Sequence, residues 1–357
     1  MKTVKQTMLV VLGLLFLALQ GCSHEDYIPV PGPAGADGTN GTNGVDGVTE
    51  CVTCHSNSHT DLAKKSYLLS VHAVETMHAT TNAAGTENFN LTTSDYTNRT
   101  GCVECHTSQG YIDKANGVTL ATGLGVAEHA PAYSGKQTIT CTTCHDKHSS
   151  FDFKNDGNDY ALRQGIKPFF LDKDPAYSID MGTSNTCVKC HQPRGLPPVS
   201  GNQKLSSRFG PHHGPQSTLL EGIQGALIVG STPYPAPKSA AHRKGSSCVA
   251  CHMGASTDGT TGAHSWHPTA NACTKCHAGG APTSVAGFEA DMTTLKGLLV
   301  AKGAFSLTTN AFTSNTVDIK VAQAAWNYAL LMEDRSNGVH NPGYAKALLQ
   351  NSIEALK

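Results

Sequence analysis

Twelve of the 13 cysteines in this chain fall into six copies of one five-residue pattern. The copies are Cys51-Val-Thr-Cys54-His55, Cys102-Val-Glu-Cys105-His106, Cys141-Thr-Thr-Cys144-His145, Cys187-Val-Lys-Cys190-His191, Cys248-Val-Ala-Cys251-His252 and Cys273-Thr-Lys-Cys276-His277. Two thiols one helical turn apart can bond covalently to the vinyl groups of a porphyrin. The histidine directly behind them then meets the iron from the proximal face. Disulfides or half zinc sites also use paired cysteines, but neither needs a histidine after every pair. With 18 histidines in 357 residues, six such coincidences have a probability on the order of 10⁻⁸. The pattern predicts six haem c groups and leaves only Cys22 outside it.

Each iron needs a sixth ligand. His55, His106, His145, His191, His252 and His277 are proximal, which leaves twelve histidines, of which His24 lies too close to the N-terminus to serve. That surplus over six positions predicts bis-histidine coordination, which makes iron low-spin and saturated: it passes electrons and offers no open position to a substrate. The candidates are His72, His148, His212, His213, His242, His264 and His340. His148 lies three residues after His145, too close to reach the far face of the same iron, and is expected to serve a neighbouring haem. His340 directly precedes a helix start marked by Asn341 as N-cap and Pro342 at the first position. Of the adjacent His212 and His213, at least one is expected to ligate. His59, His78, His129 and His267 are expected to stay off the irons, with His78 and His129 as the first substitutes.

The N-terminus carries Lys2 and Lys5, then the apolar run Met8 to Leu19, too short to span a bilayer and shaped like a signal-peptide core. It ends in Leu19-Gln20-Gly21-Cys22, a lipobox with Cys22 as the acylated residue, so residues 1–21 read as a signal peptide and Cys22 as a membrane anchor. From Gly32 to Gly47 glycine recurs at every third position, as in collagen, but with Pro33 alone among the intervening residues. Residues 22–50 are therefore expected to form an extended tether.

At these residues the chain resembles a known group. Cys-His-Asp-Lys-His-Ser (144–149), Cys-His-Gln-Pro-Arg (190–194), Gly-Pro-His-His-Gly-Pro-Gln (210–216), Cys-His-Met (251–253), Gly-Ala-His-Ser-Trp (262–266) and Gly-Val-His-Asn-Pro-Gly-Tyr (338–344) look like multihaem cytochromes c of bacteria that respire on metals and other extracellular acceptors. The resemblance runs from Cys51 to the C-terminus. It implies distal-ligand roles for His148, His212 or His213, and His340. Some members of that group polymerise into filaments and others are outer-membrane lipoproteins; the Cys22 anchor departs from the filament pattern.

The motifs start 51, 39, 46, 61 and 25 residues apart, so no repeat period organises them. Gly/Pro-rich connectors such as 195–201 and 230–239 break any long element. Aromatics are only 6% and charged residues 15%, so the porphyrins are expected to supply apolar mass that the side chains lack. The expected fold for 51–280 is mostly irregular coil with short α-helices wrapped around a packed haem array, with very little β structure. Residues 281–357 are expected to be a helical C-terminal segment packed on that array. Phe288, Met292, Leu295 and Leu299 stand at helical spacing within 285–302, and 317–333 and 342–356 read likewise.

The formal charge of −1 excludes a strongly basic nucleic-acid binder. Loss of Lys2 and Lys5 makes it −3, and twelve ionised propionates against six ferric centres carry it to about −9. The function expected is electron relay across or outside the outer membrane, with redox proteins and extracellular acceptors as partners. The chain is expected to be a carrier rather than an enzyme. The alternatives are a multihaem reductase of an oxidised nitrogen or sulfur compound, or a self-associating filament subunit. Pyridine haemochrome analysis of the purified protein is expected to return six haems per chain, and four or fewer would contradict the motif reading.

Overall fold

The computed structural model of the protein describes residues 55–73, 80–81, 87–88, 100–117, 139–148, 160–164, 167–256, 259–280 and 282–357. The signal segment, Cys22, the tether, Cys51, Cys54, His78 and His129 lie outside them. Ser56–Lys357 forms one compact unit.

The described residues are mostly coil and helix. The helices are α1 (Asn57–Tyr67), α2 (Thr100–His106), α3 (Ser108–Ala115), α4 (Cys141–Cys144), α5 (Asn185–Val188) and α6 (Gln216–Glu221), followed by α7 (Ala241–Gly245), α8 (Cys248–His252), α9 (Ala270–Thr274), α10 (Phe288–Ala301), α11 (Ile319–Asp334) and α12 (Pro342–Leu356). Eight two-residue strands pair antiparallel into four ribbons: β1 (Thr80–Thr81) with β2 (Glu87–Asn88), β3 (Phe169–Phe170) with β4 (Ser178–Ile179), β5 (Gln203–Lys204) with β8 (Thr316–Val317), and β6 (Phe305–Ser306) with β7 (Ala311–Phe312). No sheet among the described residues is wider than two strands.

Short helices of this kind are marginal alone and depend on their ends. Side-chain oxygens of Ser56, Thr107 and Thr269 accept the backbone N–H of His59, Gly110 and Ala272, capping α1, α3 and α9. α6 stops at Gly222, whose φ of +83° lets its N–H turn back to the Thr218 and Leu219 carbonyls.

The largest apolar core lies under α10, α11 and α12. Leu295, Leu299, Leu330 and Leu348 are fully buried there, and Leu205, Leu219 and Ile228 join them from the preceding chain. Phe209, Phe305, Phe312 and Tyr328 add edge-to-face ring contacts at centroid distances from 5.3 to 6.2 Å. α11 and α12 lie where the apolar spacing placed them. α10 begins at Phe288 rather than at Val285, because Gly287 precedes it with φ +81° and breaks the helical path. Asn341 caps α12 through the Tyr344 N–H, with Pro342 in the first turn.

Buried polar contacts clamp the 224–226 strip to α11 and α12. Trp326 Nε1 donates to the Gln224 carbonyl at 2.9 Å, the Gly225 N–H donates to Tyr344 Oη at 2.8 Å, and the Ala226 N–H donates to Asn327 Oδ1 at 2.8 Å. A Cβ on Gly225 would stand 2.5 Å from Leu348, so only glycine lets the strip approach so closely. The connection between α11 and α12, which carries His340, is thereby held on well-packed helices. Leu330→Ala is expected to lower equilibrium stability by about 2–5 kcal/mol, whereas Phe170→Ala, at a side chain 61% exposed, is expected to stay within about 0.5 kcal/mol; denaturant unfolding followed by the helical signal checks both.

Candidate haem sites

Each motif from the second to the sixth closes into one helical turn that ends on its histidine. The N–H of His145, His191 and His277 returns to the carbonyl of Cys141, Cys187 and Cys273 at 2.9, 3.0 and 2.8 Å, while motifs two and five lie within α2 and α8. At α4, Thr140 and Thr143 form a capping box, with the Thr140 N–H donating to Thr143 Oγ1 at 2.9 Å. One turn brings both thiols and the imidazole to the same side of the chain, as attachment to a single porphyrin requires. None of the ten described cysteines forms a disulfide.

Every motif histidine from the second to the sixth faces a second imidazole across a gap of one width. His106 meets His212 with ring centroids 6.2 Å apart, His145 meets His264 at 6.2 Å, and His191 meets His72 at 6.2 Å. His252 meets His340 at 6.3 Å, and His277 meets His242 at 6.1 Å. Two imidazole nitrogens, each about 2.0 Å from one shared metal ion, put their ring centres roughly 6 Å apart. Each gap therefore has the width of one iron.

Hydrogen bonds fix which nitrogen faces inward. A carbonyl oxygen only accepts, so the histidine Nδ1 beside it must carry the proton, leaving the Nε2 lone pair available. His145 Nδ1 donates to the Tyr160 carbonyl at 2.9 Å, His191 Nδ1 to Gln216 Oε1 at 3.0 Å, His242 Nδ1 to the Val339 carbonyl at 2.6 Å and His252 Nδ1 to the Trp266 carbonyl at 2.7 Å. His340 Nδ1 instead meets Asp334 Oδ1 at 2.6 Å.

Burial keeps most of these rings neutral, the form that ligates. It lowers His72 and His106 to about 4, helped by His191 at the first and by His213 and Arg194 at the second. Burial and the neighbouring His213 and Arg194 take His212 to about 3. His191, His252 and His264 are lowered by burial as well. For His340 burial pulls the same way, but the Asp334 carboxylate outweighs it and the result is raised.

His212 and His213 separate clearly. His212 has φ +70°, and this left-handed turn points the two neighbouring rings to different partners. His213 is exposed, with Nδ1 2.8 Å from Glu333 Oε2. The His212 Nε2 is buried with no hydrogen-bond partner among the described residues. An orphan acceptor of that kind costs about 1–3 kcal/mol, a cost that coordination to a metal removes. The paired imidazoles, the orphan nitrogen and the motif cysteines form a donor set that fits haem c. His55 and His148 are not among the five pairs, and His59 and His267 are exposed and belong to none.

Motif four lies beside two others. Cys190 lies near Cys105 and Cys187 near Cys248, and the Cys105 thiol reaches the Lys189 carbonyl at 3.8 Å. Lys189, inside motif four, reaches Glu104, inside motif two, at 3.2 Å and Asp172 at 2.6 Å. Trp266 touches residues of three sites, those of motifs three, four and five. Its ring stands 4.7 Å from His72 and 5.5 Å from His264, and its carbonyl holds His252. Its φ is +54°, uncommon for a bulky residue. Gly262, which opens that loop with φ +72°, has no room for a side chain, since a Cβ would fall 2.1 Å from the Gly254 carbonyl oxygen. Trp266, Gln216 and Asp334 were not singled out by motif spacing. Trp266 and Gln216 stand inside phrases that carry the family resemblance, whereas Asp334 has no sequence signal.

Residues 36–203 match the family model described as outer membrane cytochrome MtrC/MtrF-like, domains II/IV. No curated protein matches. Among solved structures, the crystal structure of outer cell wall cytochrome OcwA is similar at 20% identity with a TM-score of 0.47, over 82% of this chain and 50% of that one. The chain thus spans about half the length of that structure. Together with the six motifs, the family match supports a multihaem cytochrome of the outer-surface, electron-transfer type.

His212→Ala is expected to open one iron, so that the reduced protein binds about one carbon monoxide per chain. His213→Ala is expected to leave the spectrum unchanged. Carbon monoxide difference spectra of the two variants check the assignment.

Proposed function

We propose that this chain is a lipid-anchored electron relay carrying six haems. In the five described sites the residues that would hold the iron are His106 with His212, His145 with His264, His191 with His72, His252 with His340, and His277 with His242. The observation that carries this reading is the recurrence of one ring-to-ring distance, 6.1 to 6.3 Å, at five motif histidines. When bound, haem supplies reversible one-electron chemistry at its iron.

The protein's part is to hold and orient. Paired cysteines tether each porphyrin, and imidazoles on both faces close the positions a substrate would need. The Nδ1 donors lock ring orientation, as outer-shell partners of metal-bound histidine generally do. The nearness of the motif-four cysteines to those of motifs two and five supports transfer within the chain over exchange with solvent. Of its two cysteines and its histidine, motif six exposes Cys276 and His277, where motif three exposes Cys141 alone. That exposure supports assigning the last haem as the point where electrons enter or leave.

The anchor reading rests on Cys22 and the tether on the glycine repeat; together they support a relay at the outer membrane that faces redox proteins or an extracellular acceptor. With acidic propionates and a formal charge already below zero, docking of partners is salt-sensitive. Electron paramagnetic resonance of the oxidised protein is expected to show only low-spin haem. A stoichiometric high-spin signal that binds nitrite or hydroxylamine would overturn the relay in favour of a reductase.

A further inference from the structure

Four imidazoles in the ring pairs donate Nδ1–H to neutral oxygens: those of Tyr160, Gln216, Val339 and Trp266. His340 alone among the described residues of these pairs has a carboxylate there, Asp334 Oδ1 at 2.6 Å. The Asp334 side chain is fully buried, and its only ion-pair partner among the described residues is His340. Its other oxygen, Oδ2, accepts the Ser336 N–H at 3.3 Å and also the Ser336 hydroxyl.

This is a costly place for a negative charge. Asp334 is the last residue of α11, where the helix already presents the negative end of its dipole. A buried carboxylate with no lysine or arginine against it is strongly destabilising unless something positive compensates. Among the described residues, the carboxylate's hydrogen-bond partners are Ser336 and the His340 ring. Beyond that ring lies the 6.3 Å gap to His252, where a ferric haem on Cys248 and Cys251 would place its positive charge.

We propose that Asp334 is a positioning residue that lowers the reduction potential of the haem attached at Cys248 and Cys251. The inference rests on the relay reading above. A hydrogen bond to an anion leaves more electron density on the ligating nitrogen than one to a neutral carbonyl, and so stabilises ferric over ferrous iron. The neighbouring site supplies an internal contrast. His191 is held by the neutral Gln216 amide, whose Nε2 donates to the Glu333 carbonyl at 3.0 Å and the Asp334 carbonyl at 3.4 Å. One turn of chain thus orients ligands of two adjacent haems, one through a neutral acceptor and one through an anion. The result is a built-in potential step between motifs four and five.

The test is an optical redox titration of the full haem-loaded chain in five forms: the parent, Asp334→Asn, Asp334→Glu, Ser336→Ala and Glu333→Gln. Asp334→Asn is expected to move one haem transition upward, raising the ferrous-to-ferric ratio of that haem about tenfold at a fixed poise, about 59 mV for one electron. Asp334→Glu should restore the parent value. Ser336→Ala removes the competing hydroxyl, leaves more of the charge to His340, and should move the same transition downward. Glu333→Gln removes a carboxylate that meets His213 rather than His340 and should leave the transition of the haem at Cys248 and Cys251 where it is. An unshifted Asp334→Asn, or the same direction of shift in Asp334→Asn and Ser336→Ala, would overturn the proposal. If Asp334→Asn does not fold, Ser336→Ala decides alone: a downward shift supports the proposal, and none or an upward one overturns it. Failure of the relay reading is seen separately, in the parent protein, as missing haem on the Cys248–Cys251 peptide by mass spectrometry.

Discussion

Two imidazoles facing each other across the width of one metal ion are the constraint on which the rest of this structure depends. Left to protein–protein contacts alone, such a gap between two buried neutral rings is unfavourable, because each leaves a lone pair without a donor. At four of the five gaps the fold grips the opposite side of at least one ring. Nδ1 atoms are bonded to carbonyls, to an amide and to a carboxylate, and those groups belong to elements distant in sequence: the 160–163 turn, α6, the α11 terminus and the loop before α12. An iron between the rings satisfies the lone pairs that this arrangement leaves over.

That constraint explains the division of labour along the chain. Among its described residues the motif-bearing part has short helices, coil and a small apolar cluster around Ile179 and Val188, which fits the reading that bound porphyrins add to its packing. α10 to α12 form a conventional apolar core and give the assembly a rigid edge. From that edge come His340, the Val339 carbonyl for His242, Asp334 for His340, and the Glu333 carbonyl that orients Gln216. The C-terminal helices thus act on the sites of motifs four, five and six without supplying a single attachment cysteine.

The motif cysteines and histidines are legible in the sequence because their geometry is local: one turn of chain holds two thiols and an imidazole, and five adjacent letters describe it. The last two helices are legible for the same reason, through apolar spacing and the Asn341-Pro342 start. α10 is shorter than its apolar spacing suggested because the Gly287 backbone intervenes. The partner of each motif histidine is a different kind of information. Which of twelve histidines meets which depends on contacts between distant segments, and nothing local distinguishes His212 from His213 until the left-handed backbone at His212 is seen. Asp334 and Trp266 are further still from any spacing rule, since one acts through a side chain on another ligand and the other through its carbonyl.

X-ray diffraction from crystals of the mature protein on both sides of the iron absorption edge tests the pairing most directly. The anomalous difference map should place one iron between the rings of each of the five pairs, His106 with His212 through to His277 with His242. Gaps without iron, or metal peaks centred among the cysteine thiols and matching zinc rather than iron, would contradict it.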